Sequence, residues 1–130
     1  MSAASNYLEL KLLDHALGTA SFTAPSNVYL GLFTSDPTDA NSGTEVSTSS
    51  SAYGRQTITF DAAASGSAAS AATVTFSAAT ANWGTITHIG IYDASTGGNL
   101  LFHGAVTTSK TIESGDTFQV SAGNLTISLD

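Results

Sequence analysis

Three histidines, ten carboxylates and three basic side chains are the residues of this 130-residue chain with the widest chemical reach, and their spacing limits what they can do. His88 and His103 fall on segments that read as one hairpin, and His15 falls on a helix. A zinc site needs three or four ligands, so these read as ordinary polar or interface histidines. Asp36, Asp39, Asn41 and Glu45 gather oxygen ligands in one stretch. They lack the glycine and the spacing of an EF-hand loop, so a solvated, exposed acidic loop is expected there rather than a calcium site. For nucleophilic catalysis there is no Gly-x-Ser-x-Gly elbow and no cysteine, and the many serines lie in low-complexity stretches without an adjacent base. Glu9, Glu45 and Glu113 could form a glycosidase pair with an aspartate only if the fold converged them, and no spacing points to that. Gly97-Gly98 precedes a strand, not a helix, so no helix dipole is aimed at a phosphate. Trp83, Tyr53 and Tyr92 are amphipathic rings of the kind that stack on sugars, but a lone Trp at the mouth of a strand is more often a core or interface anchor. The expectation is a protein with no catalytic residue, no cofactor and no metal.

Composition narrows the partners. The charged fraction is 10%, against roughly 25% in an average soluble protein, so solubility rests on hydroxyls and a small acidic surplus. With a net charge of -7 and only Lys11, Arg55 and Lys110 as cations, the chain cannot neutralise a row of phosphates, and nucleic acid is excluded as a partner. The amino terminus lacks the basic region and apolar run of a signal peptide, and no apolar stretch approaches the ~20 residues of a membrane span, so no membrane partner is expected. Zero cysteines exclude a disulfide framework, leaving packing or assembly to supply stability.

The elements that must carry these residues are mostly strands. Residues 5–17 form the one good helix candidate, with Leu8, Leu12, Ala16 and Leu10, Leu13, Leu17 at three- and four-residue spacing, an Asn6/Glu9 capping pair at the start and Gly18 as the stop. Val28 to Phe33 is a nearly continuous apolar run, which predicts a strand covered on both faces. Residues 34–54 lose periodicity and predict a long exposed loop. Gln56–Phe60 and Thr73–Phe76 predict a pair of strands, joined by a flexible Ala/Ser/Gly turn over 62–72. Ile86 to Tyr92, a turn over 93–98 and Leu100 to Val106 predict a hairpin. A turn at Ser114-Gly115-Asp116 and a final alternating strand from Asn124 to Asp130 complete the pattern. Seven or eight short strands predict a mainly β fold: an antiparallel β-sandwich or jelly-roll-like barrel with one N-terminal α-helix. The boundary falls at Gly18, with a helical arm over 1–18 and a sandwich over 19–130.

Tyr29-Leu30-Gly31-Leu32-Phe33-Thr34-Ser35-Asp36-Pro37, Tyr53-Gly54-Arg55-Gln56, Trp83-Gly84-Thr85-Ile86-Thr87-His88-Ile89-Gly90-Ile91 and Gly97-Gly98-Asn99-Leu100-Leu101-Phe102 give the chain a recognisable order. Together with Ser5 to Glu9, Leu12 to His15, Gly43 to Ser47 and Gly115 to Phe118, that order resembles a family of small tailed-phage virion proteins often labelled phage tail fibre protein. The resemblance implies a non-enzymatic structural protein located in the virion after synthesis in the bacterial cytoplasm. The chain has no coiled-coil heptads, collagen triplets or β-helical repeats. A compact acidic sandwich with a helical arm is therefore expected first as a capsid decoration or cement protein bound to the major capsid protein. A tail-fibre or tail-associated role in host attachment, with tail proteins as partners, is the alternative, and a carbohydrate-binding module stands third. The wide apolar stripe of the helix predicts a homo-oligomer, and the resemblance with shell symmetry makes it a trimer; Tyr7, Leu8, Leu12, Leu13 and Leu17 are the expected oligomer or attachment interface.

Overall fold

The computed structural model describes residues 2–129. Among the described residues the strands are β1 (Ser2–Ala4), β2 (Val28–Phe33), β3 (Gln56–Ile58), β4 (Ser67–Ala69), β5 (Val74–Thr75), β6 (Gly84–Tyr92), β7 (Leu100–Ile112), β8 (Gln119–Val120) and β9 (Thr126–Ser128), with one helix, α1 (Asn6–Ala16). The architecture is mainly β and antiparallel. Five strands form one sheet in the order β1-β7-β6-β2-β3, and two short ribbons, β4-β9 and β5-β8, supply the opposing layer.

The two layers close over an apolar core. Leu30 and Leu32 of β2 and Ile86, Ile89 and Ile91 of β6 face Val74, Phe76, Phe118 and Ile127 from the ribbon side. Such alternation on neighbouring strands is what a pleated sheet with one buried face requires. The intervening residues of the central strands are covered too: Phe33 and Tyr92 stack at 6.2 Å on the outer face, where Leu100 joins them. A run as apolar as Val28–Phe33 is thereby covered on both sides, as its composition predicts.

β6 and β7 pair from Ile91↔Phe102 to Gly84↔Ile112, and this is the predicted hairpin, longer than the sequence pattern shows. It carries two irregularities. Near its turn, β7 gains one residue between the Ile91↔Phe102 and Tyr92↔Leu100 pairs, and that bulge sends Leu101 towards α1. Farther along, between the pairs His88↔Ala105 and Ile86↔Lys110, β7 advances five residues while β6 advances two, so Val106 to Ser109 arch away from the ladder.

Several expectations about pairing are corrected. Gln56–Ile58 and Val74–Thr75 do not form a ladder with each other: β3 pairs with β2 (Val28↔Ile58) and β5 with β8 (Val74↔Val120). The residues between them do not form a free turn, because Ser67–Ala69 pairs with Thr126–Ser128. The turn at Ser114 to Asp116 exists, with Asp116 N donating to Glu113 O at 2.9 Å, yet the following strand crosses to β5 and does not return along β7. The final strand covers Thr126–Ser128 within the predicted segment, and Asp130 lies outside the described residues.

The helix is rooted in the sheet. Ser2–Ala4, expected as part of a helical arm, forms the edge strand β1 against β7. Ser5 is the N-cap, one residue earlier than the expected Asn6: its hydroxyl accepts from Leu8 N at 3.2 Å and donates to Leu100 O, while its own N–H donates to Leu101 O at 2.9 Å. At the far end of the chain, Ser128 N donates to Ser2 Oγ at 3.0 Å, which ties β9 to β1 and so one layer to the other.

Candidate functional site

Arg55, the chain's one arginine, is almost fully enclosed, with 8% of its side chain exposed. Its Nε and Nη2 donate to Glu45 Oε2 and Oε1, both at 2.9 Å, in the two-pronged geometry that makes guanidinium–carboxylate pairs strong. Its Nη1 donates to Gly97 O at 2.7 Å and Ala94 O at 3.0 Å, and its Cζ lies 3.5 Å from the centre of the Tyr92 ring. Tyr53 completes the corner: its hydroxyl donates to Glu45 Oε2 at 2.6 Å and accepts from Leu32 N at 2.9 Å. Gly31 makes room, since a Cβ there would stand 3.0 Å from Glu45 Oε2. One cation thus joins the 34–54 segment, the β6–β7 turn and the face of β2. Burial raises the Tyr92 phenol to about 12 and pushes Tyr53 upward as well, with the Glu45 hydrogen bond adding to the second shift. Burial opposes the charge on Arg55, but the Glu45 hydrogen bonds and charge outweigh it and the net shift is upward.

The expected exposed loop is accordingly only half as described. Asp36, Asp39 and Asn41 do lie at the surface, but Glu45 is turned inward onto Arg55, and Val46 and Tyr53 are core residues with 5% exposure each. Phe33 bridges to Glu45, and Val46 N donates to Leu32 O at 3.0 Å, so the middle of the segment runs beside β2. The surface part docks as well. Asp39 accepts from His103 Nε2 at 2.7 Å through its carboxylate and from Asn6 N at 2.9 Å through its carbonyl, so it joins β7 to the first turn of α1. Asp36 lies 3.8 Å from the other nitrogen of His103 and caps Thr38 N at 2.9 Å, while Asn41 accepts from Tyr92 OH at 2.6 Å. The four oxygen ligands therefore turn to different partners, Asp36 and Asp39 to His103, Asn41 to Tyr92 and Glu45 to Arg55, and do not gather on one point.

Of the remaining candidate residues, His88 and His103 line one hollow of about 230 Å³ together with Asp36, whereas His15 stands apart on α1. His88 pairs with Thr87 at 2.8 Å, and His15 Nδ1 accepts from Phe22 N at 3.1 Å. Among the described residues no three His, Asp or Glu side chains gather in a way that could hold a metal. Trp83, Tyr53 and Tyr92 are buried to between 2% and 5% exposure, and the Trp83 indole donates to Ser51 O at 2.8 Å, so they are core anchors and offer no stacking face to a sugar.

The helix divides the predicted interface residues. Leu8 is buried with Ala4 and Leu101, and Tyr7 and Leu12 pack against that cluster. Leu13 and Leu17 face outward at 56% and 75% exposure, with Leu10 at 65% beside them. At 3.6 residues per turn, Leu10, Leu13 and Leu17 share one stripe opposite Leu8. Two concave surfaces have a largely apolar base. A cleft of about 440 Å³ opens between the layers where β7 arches away, with Leu30, Ile89 and Phe118 below and Thr107, Thr108, Gln119 and Asn124 around it. An apolar groove of about 460 Å³ lies on the other side of β9, lined by Phe60, Ile91, Phe102, Ile127 and Leu129. Neither contains a charged residue. Composition could not reveal these two hollows, because both are made by non-local pairing.

No curated protein matches the chain. A family model does, over residues 3–128, which takes in both layers, the Arg55 corner and the helix: the chain belongs to the Gp80 family, described as podophage GP4 fiber I protein gp80.

Proposed function

We propose that this phage structural protein is a tail-fibre component that takes part in host attachment without chemistry of its own. The observation that carries the reading is the family match across nearly the whole chain to a fibre protein. It favours the tail-associated role over capsid decoration, which rested on the compact acidic sandwich alone.

The geometry supplies a place for a receptor. The cleft beneath the arch of β7 has an apolar base and a rim of hydroxyl and amide groups, and no ion pair would have to be desolvated there. Among the described residues the side chains of Thr107, Thr108 and Asn124 have no hydrogen-bond partner, so they can donate to and accept from a ligand. Such a surface suits an uncharged, hydroxyl-rich ligand, and a neutral portion of a cell-surface glycan has that chemistry.

The test uses whole particles. Antibody against this chain should label the tail, and particles lacking the protein should adsorb more slowly while holding their genome normally on heating. Label distributed over the head, with early genome loss and normal adsorption in its absence, would restore the decoration role. Substituting Thr108→Trp to fill the cleft should slow adsorption while leaving tail labelling intact.

A further inference from the structure

A hollow of about 370 Å³ opens where the first turn of α1, the stretch around Asp39 and the end of the β6–β7 turn meet. Leu100 and Tyr7 give it apolar surface. Its polar groups come from Asn6, Asp39, Asn41 and Asn99, so the fold brings three of the chain's six asparagines, far apart in sequence, to one place. The hollow shares no lining residue with the cleft beneath the arch of β7.

Three of these side chains are each fastened through one polar atom and have the other to spare. Asp39 Oδ1 accepts from His103 Nε2 at 2.7 Å, Asn41 Oδ1 accepts from Tyr92 OH at 2.6 Å, and Asn99 Nδ2 donates to Asp93 Oδ2 at 3.0 Å. Asn99 is held a second time, its backbone N–H donating to Asp93 Oδ1 at 2.7 Å. Among the described residues Asp39 Oδ2, Asn41 Nδ2, Asn99 Oδ1 and the Asn6 amide have no hydrogen-bond partner. The fold thus orients one donor and two acceptors from behind, beside an amide that does both, which is how a preorganised binding site is built.

We propose that this hollow binds a neutral sugar ring through adjacent hydroxyls. A hydroxyl both donates and accepts, so a neighbouring pair can meet an amide N–H and a carboxylate or carbonyl oxygen together. The C–H face of the ring finds Leu100 and Tyr7, and the volume, at the small end for ligand pockets, suits a single ring. Charge disfavours the alternatives. An anion meets Asp39 on a chain of net charge -7, and a cation finds one carboxylate that His103 already engages. The inference goes beyond the tail-fibre reading, since it does not depend on where in the virion the chain sits.

Nuclear magnetic resonance titration of the full chain with methyl glucoside, methyl galactoside and methyl mannoside tests it. At least one should shift the backbone amide signals of Asn6, Asn41 and Asn99 saturably, and the methyl glycoside of glucuronic acid, which carries a carboxylate, should not. Asn6→Ala removes a side chain with no hydrogen bond to lose among the described residues, so it should weaken binding about fivefold and leave distant signals in place. Thr108→Trp, which fills the other cleft, should leave the response unchanged. Shifts lost in Thr108→Trp but kept in Asn6→Ala would put the sugar in the cleft and overturn the proposal. So would the absence of a saturable shift with all three neutral glycosides, or equal binding of the glucuronic acid glycoside. Tail labelling and particle adsorption judge the fibre reading separately.

Discussion

The Arg55 corner and the outer face of α1 are opposites of what their compositions suggest. The polar 34–54 segment, rich in Ser, Thr and Asp, is tied down by one guanidinium that reaches three parts of the fold. The leucine-rich helix leaves Leu10, Leu13 and the C-cap Leu17 in water. Hydropathy reports which residues prefer burial, but topology decides which of them obtain it. In a small two-layer fold, one fully satisfied charged group can rigidify a loop that has little apolar area to bury.

Removing the cation should produce the largest effect. Arg55→Ala leaves the Glu45 carboxylate, with 25% of its side chain exposed, facing two tyrosines without a counter-charge, and should cost about 3–5 kcal/mol of unfolding free energy by urea titration. A loss no greater than that of an ordinary surface substitution would mean that the corner is dispensable. On the helix, the inner face sharpens the comparison: Leu8→Ala should cost about 2 kcal/mol, the low end for a buried leucine, because its cluster is small.

Alkali probes the corner without mutation. The Tyr92 phenol is raised in the fold to about 12 from an unfolded value near 10, and Tyr53 is raised too, so the stabilisation from keeping both protonated is complete below pH ~10. It is lost as pH climbs from ~10 through ~12, because the unfolded chain releases those protons first. Thermal melts should be flat on the neutral side and fall above pH ~10, and Tyr92→Phe should shallow the fall.

Hydrogen exchange divides the segment internally. The Thr34 and Val46 amides, bonded to Thr44 O and Leu32 O at 3.0 Å each, should exchange slowly, and Thr48 to Ser50 at the exposed tip should exchange quickly. Uniformly fast exchange over 34–54 would restore the mobile loop. The smallest effect belongs to the outer face, where Leu13→Ala should change stability of the isolated chain by no more than about 0.5 kcal/mol.

Much of this fold was legible in the residues. Val28–Phe33 announces itself by an unbroken apolar run, the β6–β7 hairpin by its glycine turn, and α1 by its leucine spacing. Two strands were illegible for one reason: β1 and β4 share the sequence Ser-Ala-Ala, whose short side chains carry no periodicity. They are strands because β7 and β9 offer them hydrogen-bonding edges, and no local signal encodes that. The corner left a faint trace, a single arginine directly after Tyr53-Gly54 in an otherwise charge-poor chain. Its partners could not be read from sequence, because Ala94 and Gly97 lie about forty residues away. The helix was legible as an element, but not the division of its leucines between the sheet and solvent.

The Ser2–Ser128 hydrogen bond brings the two ends of the described chain together, so the backbone path is nearly a closed circuit. A short linker across that point could join them, and a new opening could be cut near Ser65-Gly66, where backbone twists already favour small residues. A circular permutant opened near Ser65 should retain both layers, since the joined strands β1 and β9 are already neighbours. The same proximity means that peptides fused at either end would emerge beside each other, which suits this scaffold to displaying paired sequences from one edge.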